Sequence, residues 1–160
     1  MTVMKICGRR SSYLTRLAAI VCTAGAFVVP LAQSADSTNM KTLTPEELVG
    51  VLKSKDTKPL VLQVGSHIFF VQAHIPASEY VGYGSTPEGI ERLRLRVAKL
   101  PKNASIVLYC GCCPWSRCPN VNPAYKELQK LGFTNVKVLY IANNFGADWV
   151  DKGHPVAKGE

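Results

Sequence analysis

Four cysteines are concentrated in one short stretch of this 160-residue sequence, which has six cysteines in all: Cys110, Cys112, Cys113 and Cys118. A deprotonated cysteine is a strong nucleophile, a carrier of sulfur and a ligand for soft metal ions. Disulfides that stabilise small secreted domains usually close long loops. Because these four residues fall within nine consecutive positions, their spacing indicates a reactive site and not a covalent framework.

The position of Cys110 favours a low thiol pKa. An apolar run over residues 105–109 predicts a buried strand that ends at Cys110, and Asn122 with Pro123 predicts the start of the next helix. Backbone N–H groups in such a strand-to-helix turn supply partial positive charge, which stabilises a thiolate. We therefore expect Cys110 to be a nucleophile. Arg117 is expected to add positive charge near the sulfur or to bind the anionic end of a substrate.

Helix and strand signals alternate along the part of the chain that must position this site. Thr44 and Glu47 form a capping box, with Pro45 at the first helical position. Further helix signals lie at residues 66–73, 86–100, 122–132 and 143–152, and strand signals at residues 59–64, 105–109 and 136–141. This alternation predicts an α/β fold in which helices cover a mostly parallel central sheet. Ligands of such sheets bind outside the carboxyl ends of strands, where Cys110 is expected.

The first 35 residues have the features of a secretory signal peptide. They contain four basic and no acidic residues, an apolar run over residues 17–29, and a cleavage site predicted between Ala32 and Asp36. The alternative, an uncleaved membrane anchor, needs about 20 apolar residues. We expect residues 1–35 to be the signal peptide and residues 36–160 to be the mature domain. That domain is expected to be periplasmic or secreted, with no stable membrane insertion after cleavage.

The charge balance argues against nucleic acid as a partner. The whole chain has a net charge of +8, but residues 1–35 hold four of the 19 basic residues and none of the 11 acidic residues, which leaves +4 on the mature domain. This mild excess is compatible with small anionic ligands and is too diffuse for a nucleic-acid surface. Arg92, Arg94 and Arg96 alternate along one predicted helix and are expected on its solvated face.

Short motifs in a fixed order extend over residues 43–156. They are Leu-Thr-Pro-Glu-Glu-Leu at 43–48, the strand at 61–64, His-Ile-Pro-Ala at 74–77, the strand and cysteine at 106–110, Leu-Gly-Phe at 131–133 before Asn135 and Val136, and Trp149 with Gly-His-Pro-Val at 153–156. In this order and spacing the sequence resembles the rhodanese-like superfamily. The resemblance implies that residues 36–160 adopt a rhodanese-like three-layer α/β fold.

The resemblance also implies sulfurtransferase chemistry. A cysteine takes a sulfane sulfur from a small anionic donor such as thiosulfate or polysulfide, carries it as a persulfide, and passes it to a thiol acceptor. By its position after the strand Cys110 is the expected carrier, Cys112 and Arg117 are further catalytic candidates, and Cys112, Cys113 and Cys118 are candidate resolving thiols. This chemistry needs no cofactor and no metal, and the sequence identifies no protein partner.

The loop that carries the four cysteines, residues 110–118, departs from the pattern of the family; it is called the cysteine loop. Four residues commonly separate the catalytic cysteine from an arginine, whereas six residues separate Cys110 from Arg117, and the four-residue spacing belongs to Cys112. Gln63 stands where an aspartate is usual, and Ala-Ser at 77–78 replaces a Gly-Ala step. We therefore expect a longer loop and a different entry side of the pocket.

Other interpretations of the cysteines stay open. A phosphatase or arsenate reductase on this fold needs five residues between its cysteine and Arg117, and that spacing falls on Gly111. Four thiols also suit a metal or iron–sulfur site, although the adjacent Cys112 and Cys113 do not easily point at one ion. A redox role would pair an oxidised or persulfidated cysteine with a resolving one. A disulfide between Cys113 and Cys118 would indicate an inactive domain used for binding.

Overall fold

The computed structural model describes residues 40–160, and the predicted signal peptide lies outside them. The regular elements of this part of the chain are β1 (Thr42–Leu43), α1 (Pro45–Lys53), β2 (Leu60–Gln63), α2 (His67–Gln72), β3 (Glu79–Tyr80), α3 (Pro87–Val97), β4 (Ile106–Tyr109), α4 (Val121–Lys130) and β5 (Val136–Leu139). A 3-10 turn (Trp115–Arg117) precedes α4, and a π-helical turn (Gly146–Val150) follows β5. Within residues 40–160 no helix is long and apolar enough to cross a membrane.

The five strands of the described domain form one parallel sheet in the order β1-β5-β4-β2-β3. The middle strand is β4, with Leu108 aligned to Leu62 of β2 and to Val138 of β5. The predicted α/β fold with a parallel central sheet is thus confirmed. Strands β1 and β3 were not predicted because each has two residues, which is too short to show a periodic pattern.

Helices cover both faces of the sheet, which gives three layers. On one face α3 and α4 pack against Ile106 and Leu108 of β4. On the other face α1 and the π-helical turn pack against Val107 and Tyr109. All four residues of β4 are buried, as expected for a parallel strand covered on both sides. The strand that leads into the cysteine loop is therefore the most enclosed part of the sheet.

The helix predicted over residues 143–152 is replaced by the shorter π-helical turn. Asn143 donates its backbone N–H and its Nδ2 to the carboxylate of Asp148, at 2.6 and 2.9 Å. Asn144 Oδ1 accepts the backbone N–H of Ala147 at 3.0 Å. Because such local side-chain bonds compete with helical backbone bonds, the regular helical pattern does not begin at residue 143. Trp149 anchors the turn and is fully buried.

Candidate active site

Cys110 lies at the carboxyl end of β4, and only 4% of it is exposed. Gly65, which follows β2, packs directly against it. A Cβ atom at position 65 would lie 2.9 Å from Cys110 Sγ and 2.8 Å from the Cys110 carbonyl oxygen. A larger residue at this position would therefore displace the sulfur, and the pocket around the thiol is closed on the β2 side.

Three of the cysteine sulfurs converge. Cys112 Sγ lies 3.0 Å from Cys110 Sγ and 3.5 Å from Cys113 Sγ, and the three sulfurs lie within 4.8 Å of one another. Gly111 permits this turn with a φ of 75°, and a Cβ atom there would lie 2.8 Å from Phe145 Cβ. The expectation that Cys112 and Cys113 do not easily point at one ion was wrong, because the left-handed turn brings both sulfurs to Cys110.

Asn120 supplies a hydrogen-bond donor to the Cys110 sulfur and was not identified from the sequence. Its Nδ2 lies 3.4 Å from Cys110 Sγ, and the residue is 2% exposed. Its Oδ1 accepts the backbone N–H of Ser85 at 3.2 Å and the Ser85 hydroxyl at 2.7 Å. Because Ser85 satisfies the oxygen, the amide nitrogen is oriented toward the sulfur. The feature of the sequence that could have identified Asn120 is its position directly before α4, since asparagine is preferred at the start of a helix.

The hydrogen bonds of the Cys110 sulfur differ from the expected ones. The N–H groups of Asn120 and Val121, at the start of α4, act on the Cys118 thiol, where they partly offset the rise in its pKa. Among the hydrogen bonds of residues 40–160, those of Cys110 Sγ are with the Asn120 side chain and the Cys112 thiol. One oriented side-chain amide therefore stands near Cys110 Sγ, where converging backbone donors were expected.

Gln63 holds the backbone beneath the site. This buried side chain donates Nε2 to the carbonyl oxygens of Cys110 and Ser66, each at 3.3 Å, and its Oε1 accepts the backbone N–H of Gly65 at 3.3 Å. An ionised aspartate accepts hydrogen bonds and cannot donate them. Glutamine at position 63 therefore gives the Cys110 carbonyl a donor that the usual aspartate would lack. It also adds a second donor to the Ser66 carbonyl, which already accepts the backbone N–H of Phe70.

The Ala-Ser segment at 77–78 contacts the end of β4 through Tyr109, and neither residue lines the cleft beside the cysteine cluster. Ala77 has a φ of 61°, a conformation that glycine adopts more easily. Ser78 Oγ lies 3.0 Å from the Tyr109 hydroxyl oxygen, which also accepts the backbone N–H of Ile75 at 3.4 Å. Burial raises the pKa of Tyr109 to about 12. The serine thus gives a buried tyrosine its hydrogen-bond partner.

The thiols next to Cys110 are held in the protonated form. Burial raises the pKa of Cys112 and that of Cys113 above the usual range of cysteine. Interaction with the nearby Cys110 side chain is the largest cause of a raised pKa at Cys118, and burial adds to it. At neutral pH these three residues are therefore S–H groups, which can donate hydrogen bonds to a negative charge on Cys110.

Arg117 does not join the cysteine cluster. It lies at the end of the 3-10 turn with an exposed side chain, and no ion pair within residues 40–160 includes it. The sequence-based grouping therefore holds for Cys110, Cys112 and Cys113, with Cys118 in contact through Cys110. The guanidinium is free to meet an anion in solvent.

A cleft of about 370 Å³ opens beside the cluster. It lies between α2 and the π-helical turn, and it is lined by Phe69, Gln72, Ala73, Gly111, Cys112, Asn144, Phe145, Gly146 and Val150. Cys112 is the cysteine that borders it. A small molecule in this cleft would therefore meet Cys112 first and Cys110 directly behind it. Its mostly apolar rim includes the half-exposed Phe69.

Comparison with known proteins rests on structure. No protein-family model and no curated protein matches the sequence. The rhodanese-like domain of Anabaena sp. Alr3790 is 20% identical, with a TM-score of 0.55 over 73% of this chain and 78% of that one. The BH2092 protein of Bacillus halodurans is 20% identical, with a TM-score of 0.57 over 74% and 77%. A thiosulfate sulfurtransferase from Pseudomonas aeruginosa is 24% identical, with a TM-score of 0.56 over 76% of this chain and 20% of that one. The part of the chain that the structure describes has the rhodanese-like fold.

Proposed function

We propose that this protein is a sulfurtransferase that carries sulfane sulfur as a persulfide on Cys110, from thiosulfate or polysulfide to a thiol acceptor. The observation that carries the proposal is the buried Cys110 sulfur at the end of the middle strand, 3.4 Å from the oriented amide of Asn120. A donor fixed before reaction stabilises negative charge without reorganising. The likeness of the fold to a thiosulfate sulfurtransferase supports this choice of substrate.

Each half of the reaction is a displacement at sulfur. The Cys110 thiolate attacks the outer sulfur of thiosulfate, a Cys110–sulfur bond forms, the S–S bond of the donor breaks, and sulfite leaves with the electron pair. An acceptor thiolate then attacks the outer sulfur of the persulfide and Cys110 leaves as the thiolate. The Asn120 amide donates a hydrogen bond to Cys110 Sγ in both steps, and the S–H group of Cys112 adds a further donor.

Cys112 is the preferred resolving thiol. It borders the cleft and its sulfur lies 3.0 Å from Cys110 Sγ. Attack of the Cys112 thiolate on Cys110 Sγ expels hydrosulfide and leaves a disulfide between the two residues, which an external dithiol must reduce. Cys113 and Cys118 are the alternative resolving thiols. Arg117 has an exposed side chain and acts, in this proposal, on an incoming anion and not on the bound sulfur.

The proposed site of action is the periplasm or the exterior of the cell. The proposal rests on the signal-peptide pattern of residues 1–35, with cleavage between Ala32 and Asp36. The partners that we propose are a small anionic sulfur donor and a thiol acceptor, with no nucleic acid. The mature domain of residues 36–160 would meet both after export.

Intact mass measurement tests the transfer. The reduced protein is incubated with thiosulfate, the excess donor is removed, and the mass and the released sulfite are measured. We expect a gain of one sulfur atom, an equal amount of sulfite, and loss of the added sulfur on treatment with a small thiol. The gain should be absent in Cys110→Ser, whose fold is checked by circular dichroism, and retained in Ser116→Ala, an exposed residue of the same loop. Full sulfur gain in folded Cys110→Ser would refute the proposal.

A further inference from the structure

The three converging sulfurs form a ligand set of their own. Cys110, Cys112 and Cys113 each contribute one Sγ atom, and these atoms lie within 4.8 Å of one another. Two of the separations are 3.0 and 3.5 Å. Persulfide chemistry needs one carrier and at most one resolving thiol, so it does not explain why a third sulfur points at the same place. Three sulfurs at these separations can contact a single ion at their centre.

We propose that Cys110, Cys112 and Cys113 form a three-thiolate binding site for Cu(I). Soft thiolate ligands select Cu(I), zinc and iron–sulfur clusters over harder ions. Binding replaces thiol protons with the metal: each sulfur that binds releases its proton to solvent, and neither copper nor sulfur changes its oxidation state. The affinity should increase with pH, because the thiol protons must leave before the metal binds.

The number of ligands favours Cu(I) over zinc. A closed zinc site takes four ligands in a tetrahedron, whereas the group within residues 40–160 contains three sulfurs and no imidazole or carboxylate. Cu(I) is satisfied by three sulfurs in a plane. Cys118 is outside this group, although its thiol interacts with Cys110. We therefore assign Cys118 as a neighbour of the site and not as a ligand.

The surroundings allow an ion to reach the sulfurs and stay there. Cys112 borders the cleft between α2 and the π-helical turn, which provides an entry path. Gly111 fixes the turn between two of the ligands, since both its φ of 75° and its contact with Phe145 exclude a side chain there. The site is therefore largely formed before the ion binds, which reduces the ordering that binding requires.

Copper and sulfur would compete for Cys110. A bound Cu(I) ion occupies the Cys110 sulfur that would otherwise attack thiosulfate. Conversely, a persulfide on Cys110 replaces the thiolate that would bind the ion. We expect the copper-loaded protein to gain no sulfur from thiosulfate. The copper site does not depend on the proposed sulfurtransferase activity, since it needs only the three thiolates.

A competition titration tests the site. The reduced full-length protein is titrated without oxygen against a Cu(I) complex of the coloured chelator bathocuproine disulfonate. We expect one Cu(I) per chain, and an affinity that falls more than about tenfold in Cys112→Ser and in Cys113→Ser, since even outer-shell changes at metal sites cost that much. Cys118→Ser, the same chemical change in the same loop, should keep the stoichiometry. X-ray absorption of the complex should give three sulfur neighbours.

The outcomes separate the two proposals. Binding that is unchanged in Cys112→Ser and Cys113→Ser, or lost equally in Cys118→Ser, would overturn the three-sulfur site. Zinc that displaces Cu(I) at equal concentration would overturn the choice of ion. Sulfur loading by mass is measured on the same preparation in the absence of metal. A protein that gains sulfur but binds no copper refutes only this inference, and one that binds copper but gains no sulfur refutes only the proposed function.

Discussion

At the scale of single residues, the candidate site depends on which groups can donate a hydrogen bond to one sulfur. The sequence predicted Cys110 from its place after an apolar run, and the structure has it there. It did not predict Asn120, because the direction of that amide is set by Ser85, 35 residues away in the chain. Gln63 was recognisable as a departure from the family, but its role was not predictable. That role depends on two carbonyl groups that the fold brings to the Gln63 side chain.

Replacing Asn120 by aspartate should reverse the electrostatic effect of this residue on Cys110. The change removes the amide donor 3.4 Å from the sulfur and introduces a like charge, which disfavours the thiolate. We expect sulfur loading at neutral pH, followed by intact mass, to slow by about tenfold or more, because loss of one preorganised donor to a developing negative charge commonly costs at least that much.

Asn122→Asp is the matched control for this change. Asn122 lies two residues further along, and within residues 40–160 its Oδ1 has no hydrogen-bond partner. The control adds the same charge without removing a donor to Cys110, so it should slow loading much less. Equal effects of the two substitutions would mean that the Asn120 hydrogen bond does not stabilise the sulfur.

At the scale of elements, β4 and the turn at Gly111 determine how the cysteine sulfurs come together. The sequence predicted β2, β4 and β5 from their apolar runs and the capping residues of α1 and α3 from their local pattern. The loop could not be predicted in this way, because its shape depends on contacts with Phe145 and on the left-handed conformation of Gly111. These contacts come from distant parts of the chain and leave no periodic signal.

Substituting Gly111 by alanine should disrupt the sulfur cluster. The new Cβ atom would meet Phe145 Cβ at 2.8 Å, and the φ of 75° disfavours any side chain. We expect the free energy of unfolding to fall by about 1–3 kcal/mol and sulfur loading to decrease. Chemical denaturation and intact mass measure the two effects.

Gly153→Ala separates the two causes. Gly153 has a similar φ of 73°, but a Cβ atom there would have no neighbour within 4 Å. It should therefore show the cost of the backbone conformation alone and leave sulfur loading unchanged. If the substitution at Gly111 is no more costly than the one at Gly153, the contact with Phe145 does not fix the loop.

At the scale of the whole molecule, the alternation of helices and strands was enough to predict the fold. Apolar runs predicted the strands of a sheet buried on both faces, and helical spacing of apolar residues predicted α3 and α4 as helices that cover it. The sequence could not give the strand order or the short edge strands, since these depend on pairing between distant segments. The buried Tyr109 links the middle strand β4 to the segment after α2 through Ser78 and Ile75.

The stability of the domain should therefore decrease at alkaline pH in a way that depends on Tyr109. Burial raises the pKa of Tyr109 to about 12, whereas an exposed tyrosine in the unfolded chain has a pKa of about 10. Below about pH 10 both states keep the proton and the contribution is fully present. As the pH rises from there through the folded pKa, the unfolded chain loses its proton first, so unfolding becomes more favourable.

Denaturation by urea at pH 8 and at about pH 11, with reductant present, measures this loss. Between about pH 10 and pH 12 the slope should approach, for this one group, about 1.4 kcal/mol per pH unit. Tyr109→Phe should remove that part of the slope, while Tyr140→Phe, at a tyrosine that is 43% exposed, should retain it. An identical alkaline slope in both variants would show that Tyr109 ionises normally in the folded protein.

The central claim is that Cys110, and not one of its neighbours, holds the transferred sulfur. Peptide mapping by tandem mass spectrometry tests it directly, after the protein is loaded with thiosulfate and its remaining thiols and persulfides are blocked by alkylation. We predict the additional sulfur on Cys110 at early times, with Cys112, Cys113 and Cys118 recovered as simple alkylated thiols. An additional sulfur that is first found on Cys112, the cysteine with the family spacing to Arg117, would contradict the assignment.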